Sequence, residues 1–366
     1  MKRILALSLA LCLLLCACGG DEPATNESGE TTETTMETTT ETTTQETTTE
    51  YQEPPVLYRH PLTGEPLEEP WFGRVTAVVI NNLKQAMPQH GISSADILYE
   101  IETEGGITRM LGLYTDLASV DRIGPIRSTR TFMNNTAMAY DAPIIHCGGS
   151  VPGLKGCFDD SGSTIKNWNH INQQYNGAYF YRDKDRSQNG YAYEHTLFTT
   201  GEKLLAGLAD KGYGEVSQNL LEYGLQFVDE PVIEGETANT VVITFRGGKT
   251  TTMTFNASTG VYEASQYDQE YIDGNNDVRM AFRNVVVLYS PQWFISDGYY
   301  YRSYYDLIGE GKGHMAVDGK IVPILWKRPS LREPFSYTLE DGTPLEFGTG
   351  KSYFSVVTEK KTVSYE

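Results

Sequence analysis

Residues 121–150 read D-R-I-G-P-I-R-S-T-R-T-F-M-N-N-T-A-M-A-Y-D-A-P-I-I-H-C-G-G-S. This stretch reads as a loop, a helix, a strand and a glycine turn. Pro125 has no N–H to give a strand ladder, so the chain turns there. Ser128 has the side chain of an N-cap and predicts a helix over 129–140, with Phe132, Ala137, Met138 and Tyr140 as its apolar face. The short connection Asp141-Ala142-Pro143 leads into the apolar run 143–147, a buried strand that ends at Gly148-Gly149.

The same stretch concentrates charge. Arg122, Arg127 and Arg130 crowd the start of the helix, whose first turn presents free N–H groups. Guanidinium groups beside such a terminus suit a phosphate, pyrophosphate or carboxylate. If helix and strand are antiparallel, His146 arrives at the same end. The anion-binding candidates are therefore Arg122, Arg127, Ser128, Arg130 and His146. The competing reading pairs these arginines with Glu100, Glu102, Glu104 or Asp141, so that they hold loops to a sheet.

Working outward, residues 76–82 are a strand by β-branched content, and 97–102 with 107–114 form a hairpin across Gly105-Gly106. Residues 167–170 and 179–183 are short, polar and aromatic, as expected of surface segments near a pocket. Thr199-Thr200-Gly201-Glu202 is a capping box, opening a helix with Leu204, Leu205 and Leu208 inward and Gly212 as its stop. From Thr237 the texture becomes β: 241–245, 250–255, 261–266, 285–288, 314–317, 321–326 and 354–357 are strands, with Asp318-Gly319 as a hairpin turn. The expected fold is α+β.

The N-terminus is read differently. Residues 1–17 form a signal peptide, with Lys2 and Arg3 before an apolar run too short for a typical spanning helix. Leu15-Cys16-Ala17-Cys18 resembles the bacterial lipobox, which makes Cys18 the acylated N-terminus of the mature protein. Acyl chains hold a protein to a bilayer through about 0.8 kcal/mol per buried CH₂. Residues 18–55 are the anchor and a Thr/Glu-rich tether; 21–50 hold nine acids and no Lys or Arg. A segment so poor in apolar residues cannot bury a core. The chain lies outside the cytoplasm, anchored to the outer face of the membrane.

The formal net charge of −19 argues against nucleic acid as a partner and against adhesion to anionic lipid by charge alone. In the body only Cys147 and Cys157 remain. A disulfide between them, closing a short loop and contributing roughly 2–3 kcal/mol, and two buried free thiols both fit the sequence.

Other chemistry is thin. His146 and Cys147 are neighbours on a strand and point to opposite faces, so they cannot form a nucleophile–base pair. The six histidines are scattered without metal-ligand spacing, and no metal or cofactor is expected. Residues 273–277, D-G-N-N-D, lack the spacing and terminal Glu of a calcium loop and read as a polar turn. G-E-G-K-G at 309–313 lacks the Walker spacing. Tyrosine is abundant, with 24 residues and a cluster at 299–305. Exposed, it suits sugar or protein contacts; buried, it builds an aromatic core.

The body resembles the YerB-like lipoproteins, a family with a domain of unknown function. The resemblance covers about residues 56–366. It rests on E-G-G-I-T-R (104–109), R-I-G-P-I-R-S-T-R (122–130), H-C-G-G-S (146–150), E-H-T-L-F-T (194–199), G-K-G-H-M (311–315), D-G-K (318–320) and W-K (326–327). It implies a layered α/β region with a mixed sheet over residues 56–235, followed by a smaller β-rich region over 236–366, and no activity. Cys147 stands where the family pattern implies an apolar residue. The function expected is a non-enzymatic binding or scaffold module for anionic wall polymers or wall-associated proteins. The rivals are an enzyme clamping a phosphate-bearing glycan or lipid with the arginines, and a solute-binding lipoprotein. The last fits worst, because the body does not divide into two similar α/β lobes.

Overall fold

The structure is a computed structural model, and the residues it describes are 58–151, 169–213, 223–358 and 363–366. The signal peptide, Cys18, the tether and Cys157 lie outside them.

One large mixed sheet organises residues 76–357. From one edge its strands are Glu236–Thr237, Lys320–Arg328, Gly309–Val317, Asn284–Tyr289, Ser352–Val357, Ile97–Glu102, Thr108–Tyr114, Thr76–Asn81, Ile144–His146 and His170–Asn172, with Ser336–Leu339 branching from Lys320–Arg328. The predicted hairpin is present, Ile97 facing Leu113 and Glu102 facing Thr108 in antiparallel register. The α/β character lies at the other end, where Thr76–Asn81, Ile144–His146 and His170–Asn172 run parallel.

The central strands are buried along their whole length. A strand covered on one face alternates apolar and polar; one covered on both is apolar throughout. Here both faces are covered. Ala77, Val79, Tyr99, Leu111 and Phe354 point into one core, together with Phe132 and Met133 of the helix Thr131–Met138. Val78, Ile80, Leu98, Met110 and Tyr353 point into the other, together with Leu204 and Leu208 of the helix Gly201–Asp210. The second core is also roofed by a smaller sheet, in the order Gln269–Glu270, Val261–Gln266, Thr250–Asn256, Thr240–Thr244 and Val363–Tyr365, which contributes Val241, Ile243, Met253 and Tyr262.

The C-terminal region therefore does two things. Ser352–Val357 pairs in parallel with both Asn284–Tyr289 and Ile97–Glu102, so the same sheet continues through residues on both sides of position 235. The smaller sheet covers the face that the N-terminal helices leave open.

Two helix boundaries differ from expectation. The first helix begins at Thr131, with Arg130 at the N-cap in extended backbone and no side-chain cap. Ser128 is not the cap because residues 127–129 are held extended: Arg127 N–H donates to the Val79 carbonyl, Cys147 N–H to the Arg127 carbonyl, and Thr129 N–H to the Gly148 carbonyl. The second helix is capped by Thr200, whose hydroxyl accepts from Lys203 N–H at 3.1 Å, rather than by Thr199. Its Leu204 and Leu208 are buried, but Leu205 is 37% exposed, since a residue next to Leu204 lies about 100° around the helix. Gly212, at φ +66°, ends it as predicted.

Candidate functional site

The segment Arg127–Arg130 lies across the ends of Thr76–Asn81 and Ile144–His146, so the expectation that His146 arrives beside the start of the helix is met in the backbone. The side chains sort differently. Arg130 is buried and makes a two-pronged contact with Glu104, Nε to Oε1 and Nη2 to Oε2, both 2.7 Å. Its Nη1 donates to the Thr129 carbonyl. Burial alone would raise the Glu104 carboxyl, but Arg130 outweighs it and holds Glu104 below the usual carboxylate range. Arg127 meets Glu194 at 3.6 Å, and that carboxylate is half exposed. Arg122 is turned away to Asp183, with its guanidinium 4.4 Å above the Phe198 ring.

His146 does not turn to the arginines in any of its described contacts. It is fully buried, with Nδ1 2.8 Å from the Gly148 carbonyl and Nε2 3.0 Å from His170 Nδ1. Burial lowers His146 to about 3 and His170 to about 4, so both rings are neutral. Cys147 donates its thiol to Gln173 Oε1 at 3.3 Å, and burial raises its pKa against the opposing charges of Arg182 and Arg127. Its suggested disulfide partner, Cys157, is outside the described residues.

The residue that sequence reasoning missed is Arg109. It opens the strand Thr108–Tyr114 opposite Asn81 and Ile101, is 5% exposed, and donates through Nη1 to the Ser128 carbonyl. Among the described residues no carboxylate stands within ion-pairing distance of it. Burial, then the charges of Arg130 and Arg127, push it well below its ordinary pKa, with Glu104 opposing. The signal in the sequence was a charge at the head of an otherwise apolar strand, five residues beyond Glu104.

The anion candidates thus reduce to Arg109, Arg127 and Arg130, with Glu104 and Glu194 as the acids among them. Of the competing partners weighed from the sequence, only Glu104 holds one of these arginines. Glu100 is fully buried against Lys249, Glu102 accepts from Arg246 N–H, and Asp141 lies 3.7 Å from Arg74.

An aromatic hairpin flanks the cluster. Gln292–Ser296 and Tyr301–Tyr305 form a two-stranded sheet on their own. Tyr301–Tyr305 packs on the helix Thr131–Met138 and the turn Glu104–Gly106, with the Tyr305 ring edge-on to Phe132 at 5.3 Å. Gly106, at φ +73°, has no room for a Cβ, which would sit 2.5 Å from the Arg246 carbonyl; this close approach holds the turn in place. Several of the hairpin's other side chains are exposed: Trp293 at 40%, Phe294 at 43% and Tyr299 at 87%. Arg246 lies over Phe294 and Arg302 over Tyr300. The tyrosine cluster therefore has both fates, with Tyr305 in the core and Tyr299-Tyr300-Tyr301 in solvent.

Residues 273–277 are a polar turn. The buried Asp273 carboxylate accepts from the N–H groups of Gly91, Ser93 and Asn275 and from the Ser93 hydroxyl. Among the described residues no group of three His, Cys, Asp or Glu could hold a metal ion.

Comparison with known proteins agrees with this architecture. The chain is 26% identical over 307 residues to a protein of Bacillus subtilis (strain 168) named "Putative lipoprotein YerB", covering 83% of this chain and 87% of that one. The crystal structure of the YerB protein from Bacillus subtilis matches with a TM-score of 0.69 at 23% identity, over 84% of this chain and 99% of that one, which shows a shared fold. Residues 62–214 match the N-terminal domain, and residues 241–354 the C-terminal domain, of a protein family of unknown function, DUF3048. The chain belongs to the DUF3048 family.

Proposed function

We propose that this protein is a lipid-anchored extracytoplasmic binding module that takes a phosphate-bearing wall polymer at the arginine cluster. The observation that carries the reading is Arg109, a buried guanidinium with no carboxylate in ion-pairing distance among the described residues and with the charges of Arg130 and Arg127 acting on it. Desolvated like charges are costly, and a phosphate among them relieves the cost. In a chain of net charge −19, such a local excess of cations needs a reason. The exposed aromatic hairpin beside it supports a glycan-containing ligand, since Trp and Tyr faces stack on sugar rings.

Binding is favoured over catalysis. The arginines supply a clamp, but Cys147 is held as a thiol, and the His146 and His170 rings are bound to each other. The lipobox and tether would place the body above the membrane, within reach of the wall.

The test is titration of the full-length protein, in detergent, with phosphorylated wall-glycan fragments at several salt concentrations. Binding should weaken as salt rises. Arg127→Ala should weaken it by roughly tenfold to a hundredfold, the loss of one charge-assisted contact. Equal affinity of parent and variant would remove Arg127 from the site. No salt-dependent binding by the parent would refute the proposal.

A further inference from the structure

We propose that the arginine cluster takes a phosphodiester, the internal linkage of a polymer chain, in preference to a terminal phosphate monoester; this rests on the reading of that cluster as a phosphate site. Arg109 supplies the geometry. Its Nη1 is engaged by the Ser128 carbonyl, and among the described residues no acceptor takes its Nε or Nη2. Neither of those two nitrogens is fully covered. Together they form one edge of a planar guanidinium, whose parallel N–H groups match two oxygens of one phosphate. A phosphodiester has two free oxygens, and that edge uses both.

The aromatic hairpin brings a fourth arginine. Arg302 lies on Tyr301–Tyr305, the strand that packs on the turn carrying Glu104. Its charge acts on Arg109 together with those of Arg130, Arg127 and Glu104. Arg302 holds Asp297 at 2.7 Å, and Asp297 also accepts from the N–H groups of Tyr299 and Tyr300. The side chains of Arg127 and Arg302 are 22% and 24% exposed, so the cluster is open to a ligand beside both. Among the described residues each arginine except Arg109 has one carboxylate: Glu104 for Arg130, Glu194 for Arg127 and Asp297 for Arg302. Four guanidiniums against three carboxylates leave one positive charge. Arg246 and Glu102 adjoin the hairpin and cancel. Arg182 is held over the exposed Tyr193 ring by the Tyr193 carbonyl, and its charge acts on Cys147.

That single charge selects the ligand. A diester carries one negative charge and neutralises the cluster. A monoester carries about two near pH 8, because its second pKa is about 6. The second charge would stand uncompensated among Glu104, Glu194 and Asp297, where partial burial weakens screening. A diester also continues on both sides of its phosphate. The hairpin that carries Arg302 carries the exposed Tyr299, Tyr300 and Tyr301 as well, which offer faces to the neighbouring sugar.

The experiment is calorimetric titration of the full-length protein in detergent, near about pH 8, with phosphorylated wall-glycan fragments, diglyceryl phosphate (a diester) and glycerol phosphate (a monoester). Diglyceryl phosphate should bind at least about tenfold more tightly than glycerol phosphate. Glu194→Gln raises the excess to two positive charges. It should strengthen glycerol phosphate more than the diester and narrow their ratio by about threefold or more. Glu194 is half exposed and meets only Arg127 and His195 among the described residues, and thermal unfolding checks that the variant folds. If none of the three compounds binds, the phosphate reading of the cluster fails and this inference with it. If the fragments bind but glycerol phosphate matches diglyceryl phosphate, or neither ester binds, this inference alone is overturned. An unchanged ratio in folded Glu194→Gln overturns it too. Should Glu194→Gln fail to fold, the selectivity of the parent decides.

Discussion

Lys249→Met is the sharpest test of how the two regions are joined. Glu100, in the middle of the large sheet, is fully buried, and the side chain of Lys249, in the turn that leads into Thr250–Asn256 of the smaller sheet, is 6% exposed. Oε1 of Glu100 accepts from Lys249, Asn82 and Thr108; Oε2 accepts from Thr251 and Tyr353. Removing one partner of a buried pair typically costs about 3–5 kcal/mol, because the other charge is left uncompensated. Four neutral donors would still face the carboxylate, so Lys249→Met should cost about 3 kcal/mol, the low end of that range. Glu100→Gln should cost as much or more, since it strands the ammonium. The double variant should cost clearly less than the two single changes together. Burial alone would raise the Glu100 pKa, but Lys249 and the hydroxyl donors outweigh it, and the net shift is downward. An unfolded Glu titrates near about 4.3. The stability from this shift is therefore present above that pH and lost as pH falls toward the folded value. Glu100→Gln should flatten the acid limb of the stability curve. Urea unfolding, followed by the fluorescence of the buried Trp326, measures all three variants. A cost below about 1 kcal/mol for Lys249→Met, or additive single costs, would refute the view of Glu100 and Lys249 as a coupled buried pair.

Three further outcomes are expected. Gly201→Ala, although alanine is the better helix former by about 1 kcal/mol, should destabilise by about 1–3 kcal/mol, because its Cβ would lie 1.7 Å from the Leu117 carbonyl oxygen; a stabilised variant in thermal unfolding would contradict this. The rings of His146 and His170 should stay neutral in NMR titration to below about pH 5, while the unfolded rings protonate near about 6.5, so stability falls as pH drops below that value; a midpoint near the unfolded value for either ring would exclude its burial. Cys18→Ala should move the full-length protein out of the detergent phase, and a variant that partitions like the parent would reject the lipid anchor.

Local chemistry made much of the chain legible. The hairpin 97–114 was readable because a glycine pair joins an alternating run to a second strand-like run. The helix after Thr200 was readable from its Gly212 stop and, one residue off, from a cap expected at Thr199. These signals act within a few residues, so they survive without knowledge of the rest. The helix at 131–138 was legible in kind but not in start: Ser128 has a capping side chain, yet its neighbours bond to Val79 of the strand 76–81 and to Cys147 and Gly148 just beyond the strand 144–146, and that competition is not local.

The candidate site shows the same division. Three arginines at 122–130 announced a concentration of charge. Which arginine was free depended on acids far along the chain: Asp183 takes Arg122, Glu194 meets Arg127, and Glu104 takes Arg130. Arg109 entered the cluster only because its strand lies beside Thr76–Asn81 and the segment ending at Ser128. The sheet itself behaves alike. Every residue of Ile97–Glu102 is buried, Glu100 included, because Ser352–Val357 closes its edge and the smaller sheet roofs its face. A side chain's propensities and its neighbours in sequence determine whether a strand, a turn or a cap forms. Which charge meets which across 26 to 149 residues is decided by where the folded backbone sets them down, since ion pairing reaches only a few ångströms.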